Sequence, residues 1–147
     1  RATYLDEAFD PGVGARAILS AMSAQGAAAS ERESTAVGDL DLTTRDADQR
    51  VKRAQRGAER DELLASLEEL EAWFRDLVVV GAGVGGAVAH ADRLAELQAD
   101  AELVGDGAVG AAEAVREAWR VAEELNVNPG LLLEAAFVRI RRALGRR

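Results

Sequence analysis

Three groups of residues have the types and spacing that chemistry would need. Gly81-x-Gly83-x-x-Gly86 follows Val78-Val-Val80 and matches, letter by letter, the loop with which dinucleotide folds hold a pyrophosphate. In such folds the glycines give a tight turn and a close backbone approach to phosphate. His90-Ala-Asp92 offers an imidazole and a carboxylate, but no second histidine or any cysteine exists to complete a metal site of the usual kind. A surface or interfacial histidine is the plainer expectation. Arg50, Arg53, Arg56 and Arg60 recur near helical spacing, so one helix face could hold phosphate or an acidic partner. Asp48, Glu59 and Asp61 are interleaved with them, and a solvated face with local ion pairs explains the same letters.

Other catalytic patterns are missing from the sequence. There is no Gly-x-Ser-x-Gly elbow and no Gly-x-x-x-x-Gly-Lys-Ser/Thr phosphate loop, and Lys52 is the only lysine. A serine hydrolase or a self-contained ATPase is therefore not expected. Glu68, Glu69 and Glu71 fall at exposed helical positions, where solvation accounts for them without a catalytic pair.

The elements that must position these residues are legible from composition and period. In 147 residues, 48% hydrophobic content suffices for one core, and 4% aromatics with abundant Ala, Leu, Glu and Arg favour helices over a β-sandwich. A net charge of −8 should repel nucleic acid and anionic lipid, so any nucleic-acid role would need a local basic face. Without cysteine there are no disulfides and no thiol nucleophile. The longest uncharged run, 77–91, is too short and glycine-rich to span a bilayer, which takes about 20 apolar residues. No signal peptide opens the chain, and a cytoplasmic protein, part of something longer, is expected.

Taken in order, Leu5, Ala8 and Phe9 suggest a first helix that ends at Asp10-Pro11-Gly12. A second helix is expected from about Gly14 to Ser30, carrying Ile18, Leu19 and Met22, and residues 31–44 read as a loop. Over 44–80, Leu63, Leu67, Leu70, Phe74 and Leu77 step by three and four, which predicts one long helix buried toward its end. That helix runs straight into the valines before Gly81. The strand that a dinucleotide loop requires is thus absent from the pattern, and no further strands follow. A short helix over 92–101, capped by Asp92, should precede a break at Gly105-Asp-Gly107. Further helices are expected over 108–125 and from Pro129, where Asn128 caps and proline suits the first turn. Arg139, Arg141, Arg142, Arg146 and Arg147 near the end complement the helix dipole.

Trp73-Phe-Arg-Asp-Leu77, the Val88 to Asp92 segment and Asn126-Val-Asn-Pro129, in that order, resemble a known family. The chain is similar to the C-terminal collar domain of a bacterial DNA polymerase III clamp-loader subunit, most like delta-prime, with gamma/tau second. The similarity is best over 49–144. His90 stands where asparagine is usual. The resemblance implies an all-α bundle of five to six helices that assembles subunits into a ring, while ATPase modules outside this chain open the sliding clamp and place it on primed DNA. It implies structural or interface work for Trp73, Arg75, Asp76, Asp92, Asn126, Asn128 and Pro129, with Arg75 and Asp76 tying neighbouring helices. The implied partners are the gamma/tau and delta collars, DNA is met only through the full complex, and no catalysis, cofactor or membrane is involved.

The expectation is therefore a single helical domain over 1–147. Residues 1–45 hold helices plus a loop and 46–147 hold the family-like core. An apolar face made for neighbours could also let the isolated domain self-associate. A small NAD- or FAD-binding domain built on Gly81, Gly83 and Gly86, and an unrelated helical adaptor, are the alternatives.

Overall fold

In a computed structural model, which describes residues 10–38, 40 and 42–145, the chain is all-helical. Leu5, Ala8, Phe9, Arg146 and Arg147 lie outside the described residues. Among the described residues five α-helices follow one another: α1 (Pro11–Gly38), α2 (Thr44–Gly81), α3 (Leu94–Val104), α4 (Gly107–Glu124) and α5 (Pro129–Ala143). Two short 3-10 turns, Gly85–Ala87 and Ala91–Arg93, join α2 to α3.

Helices α1, α2, α4 and α5 form an antiparallel four-helix bundle in which each packs on the next and α5 returns to α1. The directions follow from cross-helix pairs. Arg60 meets Glu123 while Glu71 meets Arg116. Gly14 lies under Phe137, and Gly26 lies beside Glu59. Helix α3 packs mainly on the last turns of α2.

The core is the predicted leucine stripe closed from the other side. Leu63, Leu67, Phe74 and Leu77 of α2 are buried with Leu97 of α3, Val115 of α4, and Leu133 and Ile140 of α5. Burying each such side chain stabilises the fold by about 1.5–3 kcal/mol before entropy is counted. Alanines at 108, 111, 112, 115's neighbour 114 and 118 keep α4 thin enough to sit close against its partners. At the α4–α5 crossing the backbones approach closely: a Cβ on Gly107 would lie 2.6 Å from the Ala143 carbonyl oxygen.

Two expected boundaries differ. Helix α1 starts at Pro11 rather than near Gly14, because the Asp10 carboxylate accepts the Gly12 N–H at 2.8 Å and proline occupies the first turn without needing a donor. It also runs to Gly38, so most of the expected loop over 31–44 is helix. That segment lacks an apolar period because it packs on one helix only, through Ala29 and Val37 and the Arg50–Glu33 ion pair. Helix α2 matches its expected span within a residue and is capped by Thr43, whose hydroxyl accepts the Asp46 N–H.

The two helices of this first hairpin are longer than the rest of the bundle. Helix α4 ends beside Arg60, and α5 begins beside Leu19. Residues 26–38 of α1 and 44–59 of α2 therefore project as a two-helix arm, about 20 Å long at about 1.5 Å per residue.

Candidate functional site

The glycine stretch is a helix terminus. Val78 to Val80 lie inside α2, Gly83 takes a left-handed φ of 79°, and its N–H bonds to the Val80 carbonyl while the Val84 N–H bonds to that of Val79. This pair of bonds is a Schellman motif, which satisfies the carbonyls that the helix end leaves open. Only Gly83 is required by its backbone angle. Gly81 and Gly86 have open space where a Cβ would be.

A cleft of about 700 Å3 opens here between α2, α3 and the start of α4. Its polar side chains are Gln98, Glu102 and Asp106, and the two carboxylates would repel a pyrophosphate. No strand occurs among the described residues, so the dinucleotide alternative lacks both its strand and its electrostatics.

Trp73, Arg75 and Asp76 instead meet Ala89 and His90 at the joint between α2 and the turn before α3. Asp76 is fully buried. Its Oδ2 accepts the His90 backbone N–H at 2.9 Å and lies 2.8 Å from His90 Nδ1. Its Oδ1 accepts the Ala89 N–H at 3.1 Å and an Arg75 guanidinium N–H at 3.2 Å. Burial pushes this carboxyl up, but the bonds from His90, Ala89 and Arg75 outweigh it and hold it below the usual carboxylate range. On the far side of the ring, His90 Nε2 lies 2.9 Å from Glu69 Oε1. The Asp76 bond raises the His90 pKa, against its partial burial, and Glu69 adds to the rise. With a carboxylate at each nitrogen, the imidazolium, which donates from both, is the favoured form.

Trp73, one turn back on α2, packs beneath this pair. The His90 ring meets it edge-on at 5.3 Å between centroids, and the Arg93 guanidinium lies 4.3 Å from its ring centre. The joint is thus closed by hydrogen bonds on one side of the turn and by a cation over an aromatic face on the other.

The remaining expected positions fall elsewhere. Asp92 is exposed within the Ala91–Arg93 turn and caps nothing; α3 begins at Leu94 after Arg93, with no side-chain cap. The 3-10 turn takes the place of a capped start, so the expected cap moves out of reach. Asn128 caps α5 by accepting the Leu131 N–H at 3.2 Å, with Pro129 in the first turn, whereas Asn126 is exposed in the α4–α5 turn. Arg50 pairs with Glu33, Arg56 donates to the Lys52 carbonyl, and Arg60 donates to the Glu123 carbonyl at 3.0 Å; all three are exposed, as is Arg53.

Sequence reasoning left His90 as a surface or interfacial residue; it is mostly buried, and its bond to Asp76 and the role of Glu69, which holds its other nitrogen, were missed. The signal was present: Asp76 interrupts an apolar helical period, and a buried carboxylate demands donors. Arg93 and the fully buried Asp100 were also missed. Among the described residues no group of three or more histidine, cysteine or acidic side chains could hold a metal ion, and no helix is long and apolar enough to cross a membrane.

The fold and joint together define an antiparallel four-helix bundle with a fifth helix pinned to its longest member. No protein-family model, curated protein or solved structure matches the chain.

Proposed function

We propose that the chain is a helical association domain of the clamp-loader collar type, from a bacterial DNA polymerase III subunit most like delta-prime. Its work in this reading is to hold gamma/tau and delta subunits together in the ring that loads the sliding clamp. One observation carries the reading. Buried Asp76 joins Trp73-Phe-Arg-Asp76 to the Val88 to Asp92 segment through the Ala89 and His90 backbone N–H groups. The spacing of the two motifs thus has a physical reason, and the third motif, at Asn128, starts the helix that closes the bundle.

Exposed Leu103, Val109, Leu125 and Leu131 supply apolar surface on which neighbours could close. The test mixes the purified chain with cognate gamma/tau and delta subunits and follows them by size-exclusion chromatography with light scattering. Stoichiometric co-elution is expected. Elution of the chain by itself, with both subunits active in clamp loading, removes the proposal.

A further inference from the structure

The stripe that forms the core face of α2 changes chemistry partway along the helix. Read backward from Leu77, it passes Phe74, Leu70, Leu67 and Leu63 in steps of three and four, then continues in the same rhythm as Arg60, Arg56 and Arg53 or Lys52, and ends at Arg45. It changes where α4 ends. Arg60 sits on the last turn of α4, donating to the Glu123 carbonyl at 3.0 Å with the Glu123 carboxylate 3.5 Å away. Beyond that point the arm carries the stripe into solvent, and Arg45, Lys52, Arg53 and Arg56 make no side-chain ion pair among the described residues. At the foot of the arm, a crevice of about 310 Å3 is floored by Met22, Leu63, Ala122, Leu125 and Val127 and edged by Arg56, Arg60 and Glu59, whose carboxylate accepts the Gln55 amide N–H.

We infer that this basic stripe and the apolar crevice at its foot form a docking site for an acidic amphipathic helix of a partner protein, lying along α2 in line with α4. Three features select that occupant. The stripe presents cations at intervals of three, four and seven residues, which complement carboxylates at the same spacing on an opposed helix. Leu125 is exposed at the crevice and offers a seat for an aliphatic residue at the partner helix's end. The track below is already taken by a helix, α4, which ties itself to α2 through Glu71–Arg116 and Arg60–Glu123 ion pairs. Nucleic acid suits the site less well, because the aliphatic floor of the crevice at the foot of the stripe offers a phosphate backbone nothing to pair with. The inference stands on this stripe and does not need the clamp-loader reading.

The test selects a phage-displayed library of helical peptides on the full chain, with the R53E/R56E variant as counter-target. Both positions are exposed, and circular dichroism serves as the check that the variant keeps its helices. Selected peptides should carry Glu or Asp at three- and four-residue spacing beside an aliphatic residue. They should bind the variant about tenfold or more weakly, and weaken with added salt. Peptides without the acidic rhythm, equal binding to the variant, or no enrichment would overturn the inference. So would a DNA oligonucleotide that binds the chain as tightly as the best peptide and is lost in the same variant, since the stripe would then be a phosphate track.

Discussion

Asp76 and His90 are fourteen positions apart in sequence and are joined twice, by the His90 backbone N–H at 2.9 Å and by the ring Nδ1 at 2.8 Å, both at Asp76 Oδ2. The carboxylate is therefore a local substitute for secondary structure. It accepts two backbone N–H groups that no helix or strand satisfies, while being itself fully buried. Asp76→Asn keeps the shape but turns an amide N–H₂ toward one of those donors. It is expected to cost about 2–4 kcal/mol, read as a fall in the urea midpoint at constant slope. An Asn variant as stable as the wild type would show that the joint does not rest on the carboxylate.

The same pair makes stability depend on pH, in two directions. His90 titrates above its ordinary value of 6.5 in the fold, so its contribution is complete below 6.5 and is lost as pH rises through the folded value. Asp76 titrates below its ordinary 3.8, so its contribution is present above 3.8 and is lost as pH falls through the folded value. The joint is strongest between those two ordinary values. His90→Asn retains a side-chain donor for Asp76 but cannot ionise. The stability gap between wild type and His90→Asn should be widest near pH 5 and shrink above pH 7, measured by urea unfolding across pH. NMR of the only histidine should give a pKa above 6.5, and a value at or below it would sink the charged-pair account.

Much of this fold could be read from the letters, and the places where reading stopped have a common cause. Helix α2 was legible because Leu63, Leu67, Leu70, Phe74 and Leu77 keep one period for four turns, and α5 because Asn128-Pro129 announces its start. The outer half of α1 was not, since a helix that packs on a single partner needs only Ala29 and Val37 inside and shows little period. The glycines were ambiguous in another way: a Schellman end and a dinucleotide turn both call for glycine after a hydrophobic run, and it was the preceding helical period that told them apart. The Asp76–His90 contact spans a turn that no local pattern describes. The acidic residue within the stripe could be noticed, but its partner could not be chosen from spacing.

The two asparagines of Asn126-Val-Asn-Pro129 should separate cleanly. Asn128 accepts the Leu131 N–H at the start of α5, so Asn128→Ala should cost about 0.5–2 kcal/mol. Asn126 is exposed in the preceding turn, and Asn126→Ala should stay within about 0.5 kcal/mol of wild type. Equal losses in thermal unfolding would mean that the turn, and not the cap, holds the α4–α5 connection.

Two glycines in helices should respond to alanine with opposite sign. Gly57 lies inside α2 on the exposed arm with nothing within 4 Å of a would-be Cβ. Alanine there spares the backbone entropy that glycine loses on folding and should stabilise by about 0.5–1 kcal/mol. Gly107 opens α4 against the end of α5, where a Cβ would meet the Ala143 carbonyl oxygen at 2.6 Å and the Leu144 Cα at 3.1 Å. These are backbone atoms, which cannot swing aside as a side chain would. The helices must separate or tilt, and the close packing of Ala143 over Gly110, where a Cβ would lie 3.0 Å from the Ala143 Cβ, would loosen with them. Gly107→Ala should therefore destabilise by about 1–3 kcal/mol. Differential scanning calorimetry on the two variants checks both signs at once. A stabilised Gly107→Ala would mean that α4 and α5 do not approach as closely as their backbones show.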